Sequence, residues 1–434
     1  MLPTRRTTIG FALLLLFSSL PFVLQTAAAI STSAAPAGAP IMLFAKDGQP
    51  SWSTDPRQDS NIVYYSGRTH IAYMSNEGFN GSDTGGYIKV VTYDHATGQW
   101  LGPFKVSDQP VYDDHGYPVL AVDSSGYLHI VYDGHQIPLK YKRSLHPNDA
   151  SAWTAAEQVG QIGTYPHLIV APDNTLILFY RERGSSYDRW VEQMQTKPSG
   201  GGSWSSPVTI LDAQWKPNDP ANNYAVTVQS VHLGQDNVIY ITWSWTLSGN
   251  PDTYYDVAFA KSADSGRTWT WANGTSYNLP IKRTGSYEKL WTGLYAAAET
   301  GLATNRNGQV VVLLYNYTSD WNNAMIYLRS WSGTSWYGAV VATGFLNAKI
   351  MIDPSGVAHG LAMTEGYGYI TYMEARAPYT SWTFTDVGST SNSFYPIILM
   401  CGDGPYFEGV WQHRIASDHA ELYMVSSLVM SRRA

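Results

Sequence analysis

The stretch VYDDHGYPVLAVDSSGYLHIVYDGH, residues 111–135, carries one complete β-hairpin signal. Pro118 to Val122 is apolar, Asp123-Ser124-Ser125-Gly126 has the composition of a turn, and Tyr127 to Tyr132 alternates as a strand does. Its turn-plus-strand half recurs along the chain. SGRTHIAYM (66–74), SSGYLHIVY (124–132), PDNTLILFY (172–180), QDNVIYITW (235–243), NGQVVVLLY (307–315), PSGVAHGLA (354–362) and GDGPYFEGV (402–410) all follow one pattern. A second series sets a tryptophan in a polar turn ahead of a short strand: Trp52, Trp100, Trp153, Trp204, Trp269, Trp336 and Trp382. Both series count seven, at spacings of roughly 46–72 residues. A unit of that length cannot bury both its faces alone, so seven of them predict an all-β fold, a seven-bladed β-propeller of four-stranded blades. One or two β-sandwiches are the alternative that regular hairpins also permit. In a closed ring the terminal strands are expected to complete one blade together.

One tryptophan turn is sharper than the rest. Ser262-Ala263-Asp264-Ser265-Gly266-Arg267-Thr268-Trp269 fits the Asp-box pattern S-x-D-x-G-x-T-W. In such a hairpin the Asp and Ser side chains bond the turn's own backbone while the Trp packs beneath. The role is structural.

Composition narrows the partners. The chain has 434 residues, with 14% charged and 14% aromatic residues, including 16 Trp and 31 Tyr. Aromatic faces stack on sugar rings, which suits a carbohydrate binder. Lys and Arg total 27 against 34 acidic residues, with no internal basic run, so nucleic acid is not an expected partner. An anionic glycan requires only a local cationic pocket. Residues 1–29 read as a signal peptide: Arg5-Arg6, an apolar run from Ile9 to Leu24, then Thr26-Ala27-Ala28-Ala29. The run is short and broken by Ser18-Ser19 and Pro21, which argues against a membrane anchor. Its removal takes two arginines and no acids, moving the formal charge from −7 to −9. Residues 30–40 read as a linker and 41–434 as one propeller domain, secreted and monomeric. The single cysteine, Cys401, excludes an intrachain disulfide framework and a Cys-rich zinc site.

The first hairpin also carries chemistry. His115 lies eight residues before Asp123 and His135 nine after Gly126, so arms of similar length bring both imidazoles to the open end. The next unit, TYPHLIVAPDNTLILFYRER (164–183), places Tyr165 and Arg181 at matching distances from its turn. Two histidines, a tyrosine and an arginine at corresponding ends of consecutive hairpins predict an acid–base site with an anion clamp. Asp114, Tyr117 and Arg183 flank the four and are expected to contact substrate. His129, inside a strand, reads as structural. Gln412-His413 and Asp418-His419 are a further candidate for metal binding.

The string DDHGYP…DSSGYLHIVYDGHQIPLKYKRS resembles the secreted seven-bladed propellers of the ulvan-lyase type, polysaccharide lyase families 24 and 25, within the BNR-repeat group. The likeness is specific over 111–183 and loose elsewhere. It implies elimination at a uronic acid with His115, His135, Tyr165 and Arg181 as the site. Such enzymes remove the C5 proton, α to the carboxylate, and expel the C4 oxygen. Arg181 would neutralise the carboxylate through a bidentate clamp. His115 and Tyr165 would transfer protons, either one serving as base, while His135 orients the uronate. No cofactor is needed for this chemistry, although a structural metal ion is compatible with the resemblance. The expected substrate is an ulvan-like rhamnose–glucuronate or iduronate glycan. Alternatives are a lyase or α-L-rhamnosidase acting on a rhamnosyl-glucuronate cap, a sialidase-like glycosidase, and a non-catalytic lectin propeller. The sialidase reading lacks a set of three arginines and a Tyr–Glu pair.

Overall fold

The computed structural model describes residues 41–50, 53, 60–79, 85–113, 115–135, 137–183, 190–214, 224–247, 254–295, 300–316, 324–364, 368–400 and 406–427. The proposed signal peptide and linker, and also Trp52, Asp114 and Cys401, lie outside them. The described strands form seven sheets of four or five strands each, the blades of a seven-bladed propeller.

Blade 1 runs Ile62–Tyr65, Arg68–Met74, Ile88–Asp94 and Gln99–Lys105. Blade 2 runs Val119–Val122, Leu128–Asp133 and Leu139–His146, with Asp149–Trp153 and Glu157–Val159 both pairing its third strand. Blade 3 holds Gly163–Val170, Thr175–Arg183, Trp190–Pro198 and Val208–Asp212. Blades 4, 5 and 6 begin at Tyr224, Thr300 and Phe345 and repeat the antiparallel meander. Blade 7 takes Ser393–Met400, Phe407–Arg414 and Ala420–Ser426, and is completed by Ile41–Gly48 from the opposite end of the chain. That closing strand pairs antiparallel, Ile41 opposite Val425 and Gly48 opposite Ala420. The ring leaves its blade 7 edge paired, as a closed architecture requires.

The strands read as apolar runs because each blade is buried on both faces. In blade 2, Val119, Ala121, Val131 and Tyr141 pack against Leu168, Leu176, Leu178 and Tyr180 of blade 3. Leu120, Leu128, Ile130 and Tyr132, on the opposite face, pack against Ala72, Met74, Ile88 and Val90 of blade 1. The period-2 alternation therefore sorts side chains between two neighbouring blades rather than between core and water.

The Asp-box turn behaves as its sequence predicts. The Gly266 amide donates to Ser262 Oγ (2.9 Å) and the Thr268 amide to Asp264 Oδ1 (2.8 Å). Trp269 is fully buried, donates Nε1–H to the Gly266 carbonyl (3.0 Å), and meets blade 3 at Phe179. Downstream of this turn, Ile281–Lys282 pairs parallel with Val208–Asp212 and so ties the blade 4 segment to blade 3. The histidines inside the repeats are structural. His129 is buried between Tyr141 Oη (2.8 Å) and Asp123 Oδ2 (3.3 Å). His359, at the same place in blade 6, lies between Tyr372 Oη (2.6 Å) and Asp353 Oδ2 (3.2 Å). Among the described residues no helix is long and apolar enough to cross a membrane.

Candidate active site

The blade 2 hairpin pairs Val119 with Val131 through Val122 with Leu128, as its turn predicts. Beyond the paired region the Asp133 amide donates to the Gly116 carbonyl (3.0 Å), which carries the two arms onward side by side. His115 and His135 leave these arms together and stack, with ring centroids 4.1 Å apart and planes inclined by 27°. Both are partly open, their side chains 30% and 24% exposed.

His135 is reached through three consecutive left-handed residues, Asp133 (φ 67°), Gly134 (φ 103°) and His135 (φ 56°). For non-glycine residues such conformations cost about 1–3 kcal/mol each and persist only where surrounding contacts impose them. Here the contacts are visible. The Tyr112 amide donates to Asp133 Oδ1 (2.9 Å), Lys140 Nζ lies 2.8 Å from Asp133 Oδ2, and the His135 amide donates to the Gly163 carbonyl (2.5 Å). Gly134 is also sterically required, since a Cβ there would lie 2.5 Å from the Gly163 oxygen. The Gly163 contact ties His135 to the innermost strand of blade 3.

That strand delivers the tyrosine. Thr164 pairs with Arg181 and His167 with Phe179, leaving Tyr165-Pro166 in a bulge. Tyr165 is left-handed (φ 51°), an outlier for an aromatic residue. Matching distances from the turn do not make Tyr165 and Arg181 direct partners: Thr164 faces Arg181, and the bulge turns Tyr165 toward the histidines. Its ring lies 6.2 Å from that of His115, edge on, and the Arg181 guanidinium sits 4.4 Å from its centroid. Trp190 covers the same guanidinium at 4.4 Å, so Arg181 is held between two aromatic faces. Its Nε is buried and has no hydrogen-bond partner among the described residues. Directly opposite Arg181 on the next strand is Glu192, 1% exposed. Burial pushes the Glu192 carboxyl well above the usual carboxylate range, and the Arg181 charge opposes this only in part. A rise in that carboxyl's pKa weakens its hold on the guanidinium's charge, which favours an anion at Arg181.

The remaining expectations divide. Arg183 is half-buried and lies farther from Trp190, at 5.4 Å. Tyr117, expected to touch substrate, is instead fully buried. It lies two residues ahead of the first blade 2 strand, packs into the interface with blade 1, and stacks at 6.4 Å beneath Tyr165. Asp114 lies outside the described residues. Gln412 and His413 do not join His419 in a ligand group: Gln412 accepts from the Ser53 amide (3.0 Å), and His413 lies against Thr390. Among the described residues, the trio whose ligand atoms lie within 4.8 Å of one another is Asp113, His115 and His135. These three could hold a metal ion.

The BNR repeat-containing family model matches residues 68–343, more than half of the chain, and spans both hairpins that build the quartet. The chain belongs to that family. This BNR-repeat protein is 27% identical over 254 residues to an ulvan lyase of Alteromonas sp. (strain LOR), covering 50% of each. It is 31% identical over 190 residues to an ulvan lyase of Nonlabens ulvanivorans, covering 38% of each. The chain spans about half the length, or less, of these curated relatives. Its fold is similar to that of a solved ulvan lyase of polysaccharide lyase family 25 bound to -[GlcA(1-4)Rha3S]-, with a TM-score of 0.72 at 19% identity over 88% of this chain and 95% of that one.

Sequence reasoning missed three residues of this BNR-repeat site. Asp113 contacts both histidines: its Oδ2 accepts a short bond from His135 Nδ1, and its Oδ1 accepts from the His115 amide (2.8 Å) and lies 3.4 Å from His115 Nδ1. Partial burial pushes the Asp113 carboxyl up. The bonds from both imidazoles and the His115 amide outweigh it and hold the group well below the usual carboxylate range. Its sequence signal was Asp two residues before His115, the spacing of a side chain that caps its own turn. Trp190 and Glu192 carried no such signal.

Proposed function

We propose that this protein is a secreted polysaccharide lyase that cleaves an anionic, uronic-acid-containing glycan of the ulvan type by β-elimination. The observation that carries the reading is the convergence of His115, His135, Tyr165 and Arg181 from two adjacent blades into one partly open cluster. The similarity to ulvan lyases supports the same chemistry and the same class of substrate.

Arg181 pairs with the uronate carboxylate and neutralises it, which makes the α proton at C5 removable. Of His115 and Tyr165, one takes that proton and the other donates a proton to the departing oxygen. The electrons of the C5–H bond become the C4=C5 double bond as the C4–O bond breaks, so the sequence needs neither water nor oxidant. His135, stacked on His115, orients the uronate with Arg181. No cofactor enters this scheme, and the partner is the glycan alone, bound by a monomer. The left-handed strain at His135 and Tyr165 fits a site whose side chains are held in place before substrate arrives.

The test is incubation with ulvan and with other uronate glycans while following near-ultraviolet absorbance. Elimination yields a conjugated C4=C5 product and rising absorbance, whereas a rhamnosidase or sialidase releases sugar with no such rise. Sugar release without absorbance would refute the reading.

A further inference from the structure

The two imidazoles meet through one carboxylate. Asp113 Oδ1 accepts from the His115 amide at 2.8 Å, two residues along its own arm, which closes a local turn and sets where the His115 ring begins. Asp113 Oδ2 accepts from Nδ1 of His135, twenty-two residues away on the other arm. The same carboxylate is 3.4 Å from His115 Nδ1. Its side chain is only 14% exposed, less than either histidine. Asp113 therefore sits behind the stacked pair and addresses both rings, while their more exposed parts remain open to a ligand.

The consequence is chemical as well as structural. A carboxylate on Nδ1 places the His135 proton there and leaves Nε2 as that ring's lone-pair nitrogen. We propose that Asp113 is a positioning residue of the lyase site: it fixes His135 in the Nδ1–H tautomer and keeps the two imidazoles stacked for proton transfer. The role rests on the lyase reading, but the tautomer does not.

The experiment uses the whole protein with ¹⁵N-labelled histidine. Long-range proton–nitrogen spectra report which ring nitrogen of His135 carries hydrogen, with the signal assigned by its loss in His135→Gln. The expected result is Nδ1–H in the wild type and loss of that preference in Asp113→Asn. In parallel, Asp113→Asn should lower kcat on ulvan by about 10²-fold or more, towards the ~10⁴-fold known for misplacing an Asp-oriented histidine. KM should change by less than about threefold, because Asp113 is less exposed than either histidine and acts through them. A wild-type spectrum showing His135 as Nε2–H would overturn the proposal whether or not the variant folds. So would a folded Asp113→Asn with wild-type kcat, or purified protein carrying a divalent metal on these three side chains. If the wild type eliminates no glycan, the lyase reading falls, and the tautomer shift on Asp113→Asn still decides this one.

Discussion

Replacing Arg181 with lysine is the sharpest test of the anion clamp. The guanidinium lies 4.4 Å from both the Tyr165 and Trp190 ring centroids, a sandwich that suits a flat cation and holds its fork in one plane. Lysine keeps one charge but loses the plane and the second parallel donor. During elimination, charge flows from C5 onto the carboxylate oxygens, so the missing donor is felt most in the transition state. Loss of one preorganised donor costs about 2.7–4 kcal/mol, and Arg181→Lys should therefore lower kcat by about 10²–10³-fold. KM should rise only a few-fold, because an ammonium still attracts the uronate. Arg183, two residues on and 5.4 Å from Trp190, is the control: Arg183→Lys should change kcat by less than about threefold if it only lines the approach. Both variants are compared by initial rates of near-ultraviolet absorbance on ulvan. Near-normal turnover in Arg181→Lys with loss in Arg183→Lys would show that the other arginine is the clamp. Normal turnover in both would remove the clamp from this strand and refute the mechanism.

Glu192, biased toward its neutral form by burial, should tolerate Glu192→Gln with kcat within about threefold; a hundredfold loss would mean that an ionised carboxylate restrains Arg181. Because Asp113 spends its oxygens on the two histidines, dialysis against a chelator should leave turnover unchanged and added Zn²⁺ should inhibit; activity lost to the chelator and restored by metal would make the trio a metal centre. Burial lowers His70 and His129 from 6.5 to about 4. Above pH 6.5 both states carry neutral imidazole and stability is full. Between about 6.5 and 4 only the unfolded chain gains the proton, so each histidine should remove on the order of 3 kcal/mol by pH 4. Denaturant unfolding of wild type and His129→Gln at pH 7, 5.5 and 4 checks this: the wild-type advantage should shrink with acid, and a constant difference would refute it.

Seven turn-and-strand repeats and seven tryptophan turns were enough to read the propeller, because each blade must repeat the same burial problem and the repeat leaves a mark at fixed intervals. His115 and His135 were legible for a related reason: in an antiparallel hairpin, distance from the turn determines who meets at the far end. Tyr165 and Arg181 were found by the same counting, yet their relation was not, since a one-residue bulge decides which face a side chain takes and counting cannot see it. Tyr117 shows the opposite failure. It occupies the same Tyr-Pro context as Tyr165 but stays buried, because the segment ahead of the strand carries it into the blade 1 interface. Trp190 and Glu192 became visible only in three dimensions, and so did the reach of Asp113 across to His135. Their roles depend on which ring or cation lies within a few ångströms across a strand or an arm, and on how little water reaches them. Periodicity records which side of a strand is buried, whereas the partner and charge state of a polar group are set by neighbours brought near by the closed ring.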